Sequence, residues 1–477
     1  MSYDDWELVC GLEIHAQLKT KSKMFSPDSG DFGAGDNVNT HPVTLGMPGC
    51  LPVPNKQAIE YSVKTGLALN CTIRNTSVFS RKNYYYPDLP KGYQISQFDK
   101  PLCEEGFVEF KLGDEKKRVR IERAHMEEDA GKSTHHGEYT LINLNRAGVP
   151  LLEIVSRPDI RSAEEAAEYA RAVRKILRYI EVCDGNLEEG SMRCDCNVSV
   201  RKKGDEKLGT RCEIKNVNSF RFVQKAIEYE TQRQIDVLES GGKIVQQTRL
   251  YDSAANKTFA MRDKEDAHDY RYFPEPDMLP VELTEEYISK VESTLCELPD
   301  ARVKRFMAEY ELPEYDSLIL TQERDLADYY EAVAKASNNP KASSNWIMGE
   351  LLRELNEHEL DYSAIPIKAE NFAKLIQLID NKTISGKIAK TVFQELWKKD
   401  QDPEDIVKAK GLVQITDEGA IEKVIDEIIN ANPGQVEQYR GGKNKLFGFF
   451  VGQAMKATKG QANPEIVNKI LKSKLDG

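Results

Sequence analysis

Up to about residue 290, the sequence consists mainly of short segments in which apolar and polar residues alternate, separated by glycine and proline turns. Alternation with a period of two residues indicates strands with one buried face. This part of the chain is therefore predicted to form a large, mostly antiparallel sheet. Two helical patterns interrupt it, one starting with the capping pair Ser162 and Glu165 and one running from about 220 to 241. We expect both helices to cover the sheet.

From about residue 294 to 406 the apolar residues recur at helical spacing, and strand-like alternation disappears. One apolar helix face in this segment contains Trp346, Met348, Leu351, Leu352 and Leu355. Farther along, Asn-Pro pairs at 432 and 463 separate two or three short helices. The pattern predicts an α+β fold in which a large sheet domain at 1–293 precedes an all-helical domain at 294–406 and a small helical tail domain at 407–477.

The composition is that of an ordinary folded protein, since 40% of the 477 residues are apolar and 30% are charged. No apolar stretch approaches the roughly 18 residues needed to cross a membrane, and the first ten residues lack a signal pattern. Nine scattered cysteines fit reduced thiols better than disulfides, so we expect a cytoplasmic protein without a membrane partner. The net charge is -12, yet residues 433–477 contain eight basic and three acidic residues. That segment is the candidate surface for nucleic acid.

Residues 11–18 alternate strictly, which in a strand would place Glu13, His15 and Gln17 on one face and apolar residues on the other. Two further segments, 191–201 and 211–215, have the same two-sided pattern. Their polar positions include Arg193, Asp195, Glu213 and Lys215. Such a face is usually the solvent-exposed side of a sheet. Three of them together also supply oxygen ligands for Mg²⁺ and cations for phosphate, so both interpretations stay open at this point.

Two other segments contain candidate ligands. Three consecutive carboxylates at 127–129 lie beside Gly131 and Lys132, a pattern typical of a solvated turn. The glycine and lysine do not belong to a phosphate-binding P-loop, because Met126 occupies a position that requires glycine, so any ATP would be held by the sheet and its metal. Residues 80–93 interleave bases with aromatic residues, which fits equally a nucleotide-binding segment and a packed loop.

The cysteines do not indicate a zinc site or a covalent enzyme. Cys194, Cys196 and Cys212 fall on the apolar strand faces, so we interpret them as small core residues rather than metal ligands. The sequence contains no Gly-x-Ser-x-Gly motif, and none of its cysteines has the surroundings of a nucleophile. Covalent acyl transfer by this chain is therefore not expected.

Seven blocks carry a resemblance to a known family. They are VCGLEIHAQLKTKSKMFS, SRKNYYYPDLPKGYQISQ, HMEEDAGKS, NRAGVPLLEIVSRPD, SMRCDCNVSVR, EIKNVNSF and DYRYFPEPD. In this order they closely resemble the blocks of the B subunit (GatB) family of the glutamyl/aspartyl-tRNA amidotransferase, and the resemblance extends over essentially the whole chain. It implies a cradle domain, a helical domain and a small tail domain, in agreement with the three segments above.

The resemblance also implies a two-step reaction. ATP phosphorylates the side-chain carboxylate of misacylated Glu-tRNA(Gln) or Asp-tRNA(Asn), and ammonia then displaces the phosphate, which supplies the leaving group that a carboxylate lacks. A separate glutaminase with the amidase fold, the A subunit, provides the ammonia, and a small C subunit completes a heterotrimer. The tail domain is implied to contact tRNA.

Candidate site residues in the sheet domain follow from the matching blocks, and those in the tail follow from its basic loop at 440–445 and from the tRNA contact implied for the tail domain. The implied magnesium ligands are His15 and Glu128, with Glu13 and Glu213 as further ligands or water holders. Residues with catalytic roles not individually assigned are Glu153, Asp195 and Lys215. The candidates for binding ATP or the aminoacyl end are Arg81, Lys82, Tyr86, Lys91, Arg193 and Arg271. The candidates for binding the body of tRNA are Arg440, Lys443, Lys445, Lys456 and Lys459.

Many relatives in this family carry a zinc quartet near the N-terminus. The corresponding positions here are Ser26, Asp28, His41 and Thr44, so we expect no zinc. A competing hypothesis is a non-catalytic scaffold that only presents tRNA, and tRNA-dependent ATP hydrolysis would distinguish it from an enzyme. A ligase acting on a free amino acid is a third alternative, which gives no reason for the basic tail.

Overall fold

A computed structural model describes the chain at residues 3–263, 267–412, 415, 417–458 and 460–476. The chain divides into two units, Met1–Pro299 and Asp300–Gly477. The first unit contains one large hydrophobic cluster and the second contains two smaller ones. Within the described residues, no helix combines the length and the apolar character needed to span a bilayer.

All the described strands lie in the first unit. They are β1 (Trp6–Gln17), β2 (Thr72–Ile73), β3 (Thr76–Ser77), β4 (Ser80–Asn83), β5 (Tyr93–Ser96), β6 (Cys103–Leu112), β7 (Glu115–Glu128), β8 (Lys132–His136), β9 (Tyr139–Asn143), β10 (Pro150–Ser156), β11 (Met192–Lys202), β12 (Cys212–Lys215), β13 (Gln247–Asp252), β14 (Lys257–Asp263), β15 (Phe273–Pro274) and β16 (Val281–Glu282).

Nine of these strands form one sheet, in the order β14-β13-β12-β11-β1-β10-β7-β6-β2. Every neighbouring pair in it is antiparallel except β12 and β13, which run parallel. The remaining strands form the small sheets β15-β4-β5, β16-β3 and β8-β9. The mostly antiparallel sheet that the alternating pattern predicted is therefore confirmed, and with it the α+β fold class.

The helices lie in both units. They are α1 (Lys56–Ala68), α2 (Ala163–Tyr179), α3 (Phe220–Glu239), α4 (Glu285–Glu292), α5 (Pro299–Glu309), α6 (Glu314–Leu320), α7 (Arg324–Ser337), α8 (Pro340–Trp346), α9 (Leu352–Glu357), α10 (Ala369–Asp380), α11 (Gly386–Lys398), α12 (Pro403–Lys410), α13 (Glu418–Ala431), α14 (Pro433–Arg440), α15 (Leu446–Ala457) and α16 (Pro464–Asp476). A π-helical turn (Ile347–Leu351) joins α8 to α9, and short 3₁₀ helices lie at Tyr3–Asp5, Ala267–Tyr270 and Tyr362–Ala364.

The large sheet has two different faces. One face is apolar, and its central residues Leu12, Ile14 and Ala16 have no exposed surface. Helices α2 and α3 pack together against strands of this sheet, and α2 contributes Ala166 and Val173 to the same hydrophobic cluster. Burying this face excludes water from a large apolar area and fixes the strand register. The opposite face is polar.

The two helices begin where capping residues predicted them. The backbone N–H of Glu165 donates to Oγ of Ser162 at 3.0 Å, so Ser162 is the N-cap of α2. Ser219 caps α3 in the same way through the N–H of Phe222. Both helices cover the sheet, as expected, and α3 ends at Glu239, near the predicted boundary.

Among its described residues, the second unit contains helices joined by loops, with one isolated β-bridge between Ile415 and Ala462. Leu351 and Leu355 are buried in its first cluster, and Trp346, Met348 and Leu352 pack against it, which confirms the apolar face predicted from the sequence. Helices α14 and α16 begin at the prolines of the two Asn-Pro pairs. The second hydrophobic cluster of this unit joins four helices, α13 to α16, whereas the sequence predicted two or three. The additional helix is α13, which Asp417 caps and which precedes the first Asn-Pro pair. The boundaries at 293 and 406 stay predictions.

Candidate functional site

Strand pairing gathers the predicted site residues on the polar face of the large sheet. His15 in the central strand β1 lies opposite Glu153 on one side and Arg193 on the other. Glu13 lies opposite Asp195, and Asn197 lies opposite Glu213. Directly opposed residues in antiparallel strands project from the same face. The three two-sided segments seen in the sequence are thus neighbouring strands of one polar surface.

His15 is surrounded by two carboxylates. Its Nε2 lies 3.4 Å from Oε2 of Glu153 and 3.7 Å from Oε1 of Glu127. The side chain of His15 is 16% exposed and that of Glu127 is 4% exposed. Burial alone lowers the pKa of His15, but the adjacent carboxylates, led by Glu153, outweigh burial and raise the pKa to about 9. A metal ion bound to this imidazole would therefore compete with a proton at neutral pH.

The two carboxylates beside His15 differ in their electrostatic environment. Burial and the neighbouring charge of Glu153 raise the pKa of Glu127 above its ordinary value. Burial also opposes ionisation of Glu153, but His125 and His15 outweigh it and hold its pKa well below the ordinary value. His125 Nε2 lies 3.4 Å from Oε2 of Glu153, and its Nδ1 is buried without a hydrogen-bond partner among the described residues.

A second acidic group lies beside the first. Glu13, Asp195 and Glu213 have carboxylate oxygens within 4.8 Å of one another, as do the ligand atoms of His15, Glu127 and Glu153. Nζ of Lys215 donates to Oδ2 of Asp195 and lies 3.5 Å from Oε1 of Glu213. Burial lowers the pKa of Lys215, but these carboxylates outweigh it and the pKa rises above its ordinary value. Lys215 is therefore a fixed cation within this group.

The structure does not bring Glu128 into either group. Its carboxylate pairs with Nζ of Lys91 and accepts a hydrogen bond from the backbone N–H of Ile95 at 2.9 Å. Strand alternation explains the difference, because His125 and Glu127 project from the polar face of β7 and Glu128 from the other side. The assignment of Glu128 as a magnesium ligand stays a prediction.

Sequence reasoning noted the acidic run at 127–129 but did not select three residues of this surface as site residues: Glu127, His125 and Asp129. Continuing the two-residue period through 125–128 would have separated His125 and Glu127 from Glu128. Asp129 pairs with Arg193 at 2.9 Å and accepts a hydrogen bond from Gln17 at 2.9 Å. Burial raises the pKa of Asp129, but Arg193 and a second arginine outweigh it and lower the pKa. Arg193, predicted to bind substrate, is thus held by a carboxylate.

The small sheet β15-β4-β5 contains the two ends of segment 80–93, with its aromatic and basic residues. Nζ of Lys82 lies 4.8 Å from the ring centroid of Tyr270 and 5.7 Å from that of Tyr84. Burial lowers the pKa of Lys82, but Tyr272 and the carboxylates of Glu127 and Glu153 outweigh it and raise the pKa. The ammonium group of Lys82 therefore stays charged among the surrounding aromatic rings.

The other candidates of this region have different environments. Arg81 forms a two-pronged pair with Glu275, at 2.7 and 2.9 Å, and a contact of 3.0 Å with Asp277. Its guanidinium donors are thereby largely directed to protein carboxylates. Tyr86 is 43% exposed, and Arg271 is exposed on a turn with φ of 45°.

The donor set fits a hard divalent cation. Each group has carboxylate oxygens, and the His15 group adds one imidazole nitrogen, which is the mixture that Mg²⁺ tolerates in proteins. Arg193, Lys215 and Lys82 add fixed positive charge near the same surface. The arrangement can bind a metal together with a phosphate group and exclude bulk water from part of it.

The four positions of the implied zinc quartet form an ordinary hydrogen-bonded cluster. Asp28 accepts from Oγ of Ser26 and from Oγ1 of Thr44, and the backbone N–H of His41 donates to it at 3.3 Å. Nζ of Lys23, whose side chain is fully buried, pairs with Asp28 at 2.9 Å and donates to the carbonyl oxygen of Asn39 at 2.6 Å. These residues do not fit zinc, because an internal ammonium ion already neutralises the one carboxylate.

The basic residues of the tail occupy different positions. Arg440 donates to the carbonyl oxygens of Leu475 and Lys474, at 3.1 Å each, and so caps the end of α16. Lys443, Lys445 and Lys456 are exposed. Lys459, the fifth predicted residue, lies outside the described residues.

Comparison with known proteins gives matches along the whole chain. Residues 8–289 match the family described as "GatB/GatE catalytic domain", and residues 328–475 match the one described as "GatB domain". The chain is 63% identical over 476 residues to the B subunit of the aspartyl/glutamyl-tRNA(Asn/Gln) amidotransferase of Bdellovibrio bacteriovorus, which covers 100% of both chains. It is 55% identical over 472 residues to the protein of the same description from Persephonella marina, with 99% and 100% coverage. The relative from Trichlorobacter lovleyi is 55% identical over 470 residues, with 98% and 99% coverage.

We predict that the purified protein contains no stoichiometric zinc and that a chelator leaves its melting temperature unchanged. Replacing Lys23 by Met should destabilise the fold by about 3 kcal/mol, because it leaves a partly buried carboxylate unpaired. The exposed Lys21→Met is the matched control and should be neutral. One zinc per chain by elemental analysis, or a lower melting temperature in chelator, would contradict the assignment.

Proposed function

Since this chain belongs to the GatB family of tRNA-dependent amidotransferase subunits, we propose that the polar face of its nine-stranded sheet phosphorylates the side-chain carboxylate of misacylated tRNA. The family's reaction is the transamidation of misacylated tRNA, a ligase-type step of protein biosynthesis. The observation that carries the proposal is the alignment of His15, five carboxylates and Lys215 on one surface. A carboxylate must gain a leaving group before ammonia can replace its oxygen, and phosphorylation provides one.

We assign a bound Mg²⁺ to this surface. The ligands implied by the sequence are His15, Glu13, Glu213 and Glu128. The geometry instead offers two sets, His15 with Glu127 and Glu153 and Glu13 with Asp195 and Glu213. When bound, the ion supplies positive charge that offsets the charge of transferring phosphate oxygens. The ligands belong to strands whose apolar side is buried, so their relative positions are fixed before substrate arrives.

The cations of the site have a complementary role. Lys215 and Arg193 are held by carboxylates on the polar face, and Lys82 lies among tyrosines at its edge. We infer that they orient ATP phosphates and the aminoacyl end, because fixed charges bind an anion without reorganising during the reaction. Arg81, Tyr86, Lys91 and Arg271 are the remaining candidates for this contact.

The chain contains no motif for hydrolysing glutamine, so ammonia must come from elsewhere. The relatives are described as the B subunit of an amidotransferase, which supports a multi-subunit complex. We propose that a glutaminase partner with the amidase fold supplies ammonia, that a small third chain completes a heterotrimer, and that the complex acts in the cytoplasm. The relatives' description names both Asp/Glu and Asn/Gln, which supports Glu-tRNA(Gln) and Asp-tRNA(Asn) as the two substrate classes.

A non-catalytic scaffold is the competing function. It would need a basic surface for tRNA but would have no use for two adjacent acidic groups, one of which contains a histidine. Carboxylates placed this close repel one another, and His15 and Lys215 offset only part of that repulsion, so a bound cation would stabilise the group further. The site geometry therefore favours the enzyme.

We predict that His15→Ala lowers tRNA-dependent ATP hydrolysis and amide formation by at least about 100-fold. Loss of a residue that only hydrogen-bonds to a metal ligand typically lowers activity by about 10- to 100-fold, and loss of a ligand itself should lower it more. Glutamine hydrolysis by the assembled complex should continue. Glu122→Gln is the matched control, since Glu122 is exposed on the same strand as Glu127 and should leave all three activities unchanged. Near-normal amidation by the His15 variant would remove the metal assignment.

Separate Glu127→Gln and Glu128→Ala variants identify the carboxylate that acts with His15. The sequence predicts that Glu128→Ala abolishes phosphorylation, and the geometry predicts the same for Glu127→Gln, because Glu127 contacts His15. Affinity for Mn²⁺ in the absence of ATP, followed by electron paramagnetic resonance, is the measurement, because it does not require an active variant. An unchanged affinity in either variant would exclude that residue as a ligand.

We further predict that Lys443, Lys445 and Lys456 contribute affinity for the tRNA body without contributing chemistry. Changing all three to Gln should reduce the slope of log Kd against log salt by about 2 to 3, close to one unit for each phosphate contact. The rate at saturating tRNA should stay normal. A control with three exposed lysines changed elsewhere in the unit, Lys341, Lys387 and Lys399, should keep the original slope. Equal slopes for both triple variants would assign the tail another role.

A further inference from the structure

Thr248 makes a direct contact with one of the acidic residues of the polar face. Its Oγ1 donates a hydrogen bond of 2.8 Å to Oε2 of Glu213. Thr248 is 3% exposed and Glu213 is 7% exposed, so water has little access to the bond. The two residues are register partners in the parallel pair β12 and β13, and their side chains therefore project from the same face of the sheet.

The opposite side of β13 is anchored to helix α3. Arg249, the next residue, donates to Oγ1 of Thr258 at 2.9 Å and lies 3.2 Å from Oε2 of Glu230. Glu230 has no exposed surface. The pairing of β13 with β14 shifts register between Thr248 and Arg249, as in a bulge, and such irregularities re-aim side chains. A buried ion pair on one face thus fixes the strand that presents Thr248 on the other.

We propose that Thr248 is a positioning residue for Glu213. Its hydroxyl fixes the rotation of the Glu213 carboxylate, so that Oε2 is held toward β13 while Oε1 lies 3.5 Å from Nζ of Lys215. The terminal torsion of a glutamate side chain has a broad preference, and a single donor is enough to select one orientation. The proposal rests on the function proposed above, in which Glu213 belongs to the cation site.

A neutral hydroxyl is suited to this role. A lysine or arginine at the same place would orient the carboxylate but would also neutralise it, and so weaken its attraction for a divalent cation. The hydroxyl occupies one lone pair and adds no positive charge to that which Lys215 already supplies. Partners of this kind typically change metal affinity by about 10- to 100-fold when they are removed.

The test uses the reconstituted amidotransferase complex and Mn²⁺ as the probe, with binding followed by electron paramagnetic resonance in the absence of ATP. Thr248→Val removes the hydroxyl and keeps the shape of the side chain, and Thr248→Ser restores the hydroxyl. We expect Thr248→Val to weaken Mn²⁺ binding about 10-fold and Thr248→Ser to stay within about 2-fold of the natural protein. The apparent Mg²⁺ requirement of ATP hydrolysis should shift in parallel.

Ser199→Ala is the matched control, since Ser199 is buried in β11 and its hydroxyl donates to a backbone carbonyl oxygen, that of Val9. It should leave Mn²⁺ binding unchanged. Glu213→Gln tests the cation site separately from the positioning role of Thr248. If it weakens binding and Thr248→Val does not, the positioning role is wrong and the cation site stands. If neither changes binding, both assignments are overturned. Equal losses in Thr248→Val and Thr248→Ser would overturn the role of the hydroxyl.

Discussion

Charge balance on one face of the nine-stranded sheet is the constraint on which the site depends. Five carboxylates lie close together there: Glu13, Glu127, Glu153, Asp195 and Glu213. Their mutual repulsion in partly buried surroundings would be costly without nearby positive charge. His15 and Lys215 provide it within the face. The opposite face supplies the rigidity, because its apolar side chains are fully buried under α2 and α3 and hold the strands in one register.

This arrangement connects the fold to the chemistry. The candidate ligands come from five strands, so no single segment of the sequence contains the whole site. A register shift of one residue in any of these strands would point its ligand into the hydrophobic core. The charges of the face favour a cation and a phosphate together. Outside this face, Lys23 with Asp28 and Arg249 with Glu230 use buried ion pairs only to hold loops and strands in place. In each of these two anchors a cationic side chain faces a single carboxylate, whereas on the polar face five carboxylates share fewer cationic side chains.

Much of this could be predicted from the sequence, and the exceptions have physical reasons. Strict alternation around His15, Asp195 and Glu213 was sufficient to identify three polar strand faces, and the capping pair at Ser162 marked the start of α2. Whether Glu127 or Glu128 faces the polar side depends on which residues of β7 project from that side. A run of three acidic residues does not show this, because every position in it is polar. The partners of Arg81 and Arg193 are carboxylates far away in the chain, and only tertiary pairing reveals them. The role of Thr248 likewise depends on the one parallel strand pair of the sheet.

The most direct test of the central claim follows an oxygen atom. Misacylated tRNA carrying ¹⁸O in the side-chain carboxylate is amidated by the reconstituted complex with unlabelled ATP, and the inorganic phosphate is analysed by mass spectrometry. If the carboxylate is phosphorylated before ammonia attacks, one ¹⁸O atom passes into phosphate for each amide formed. Amide formation that releases only unlabelled phosphate would contradict the account, because the carboxylate would then never have been joined to the phosphate of ATP.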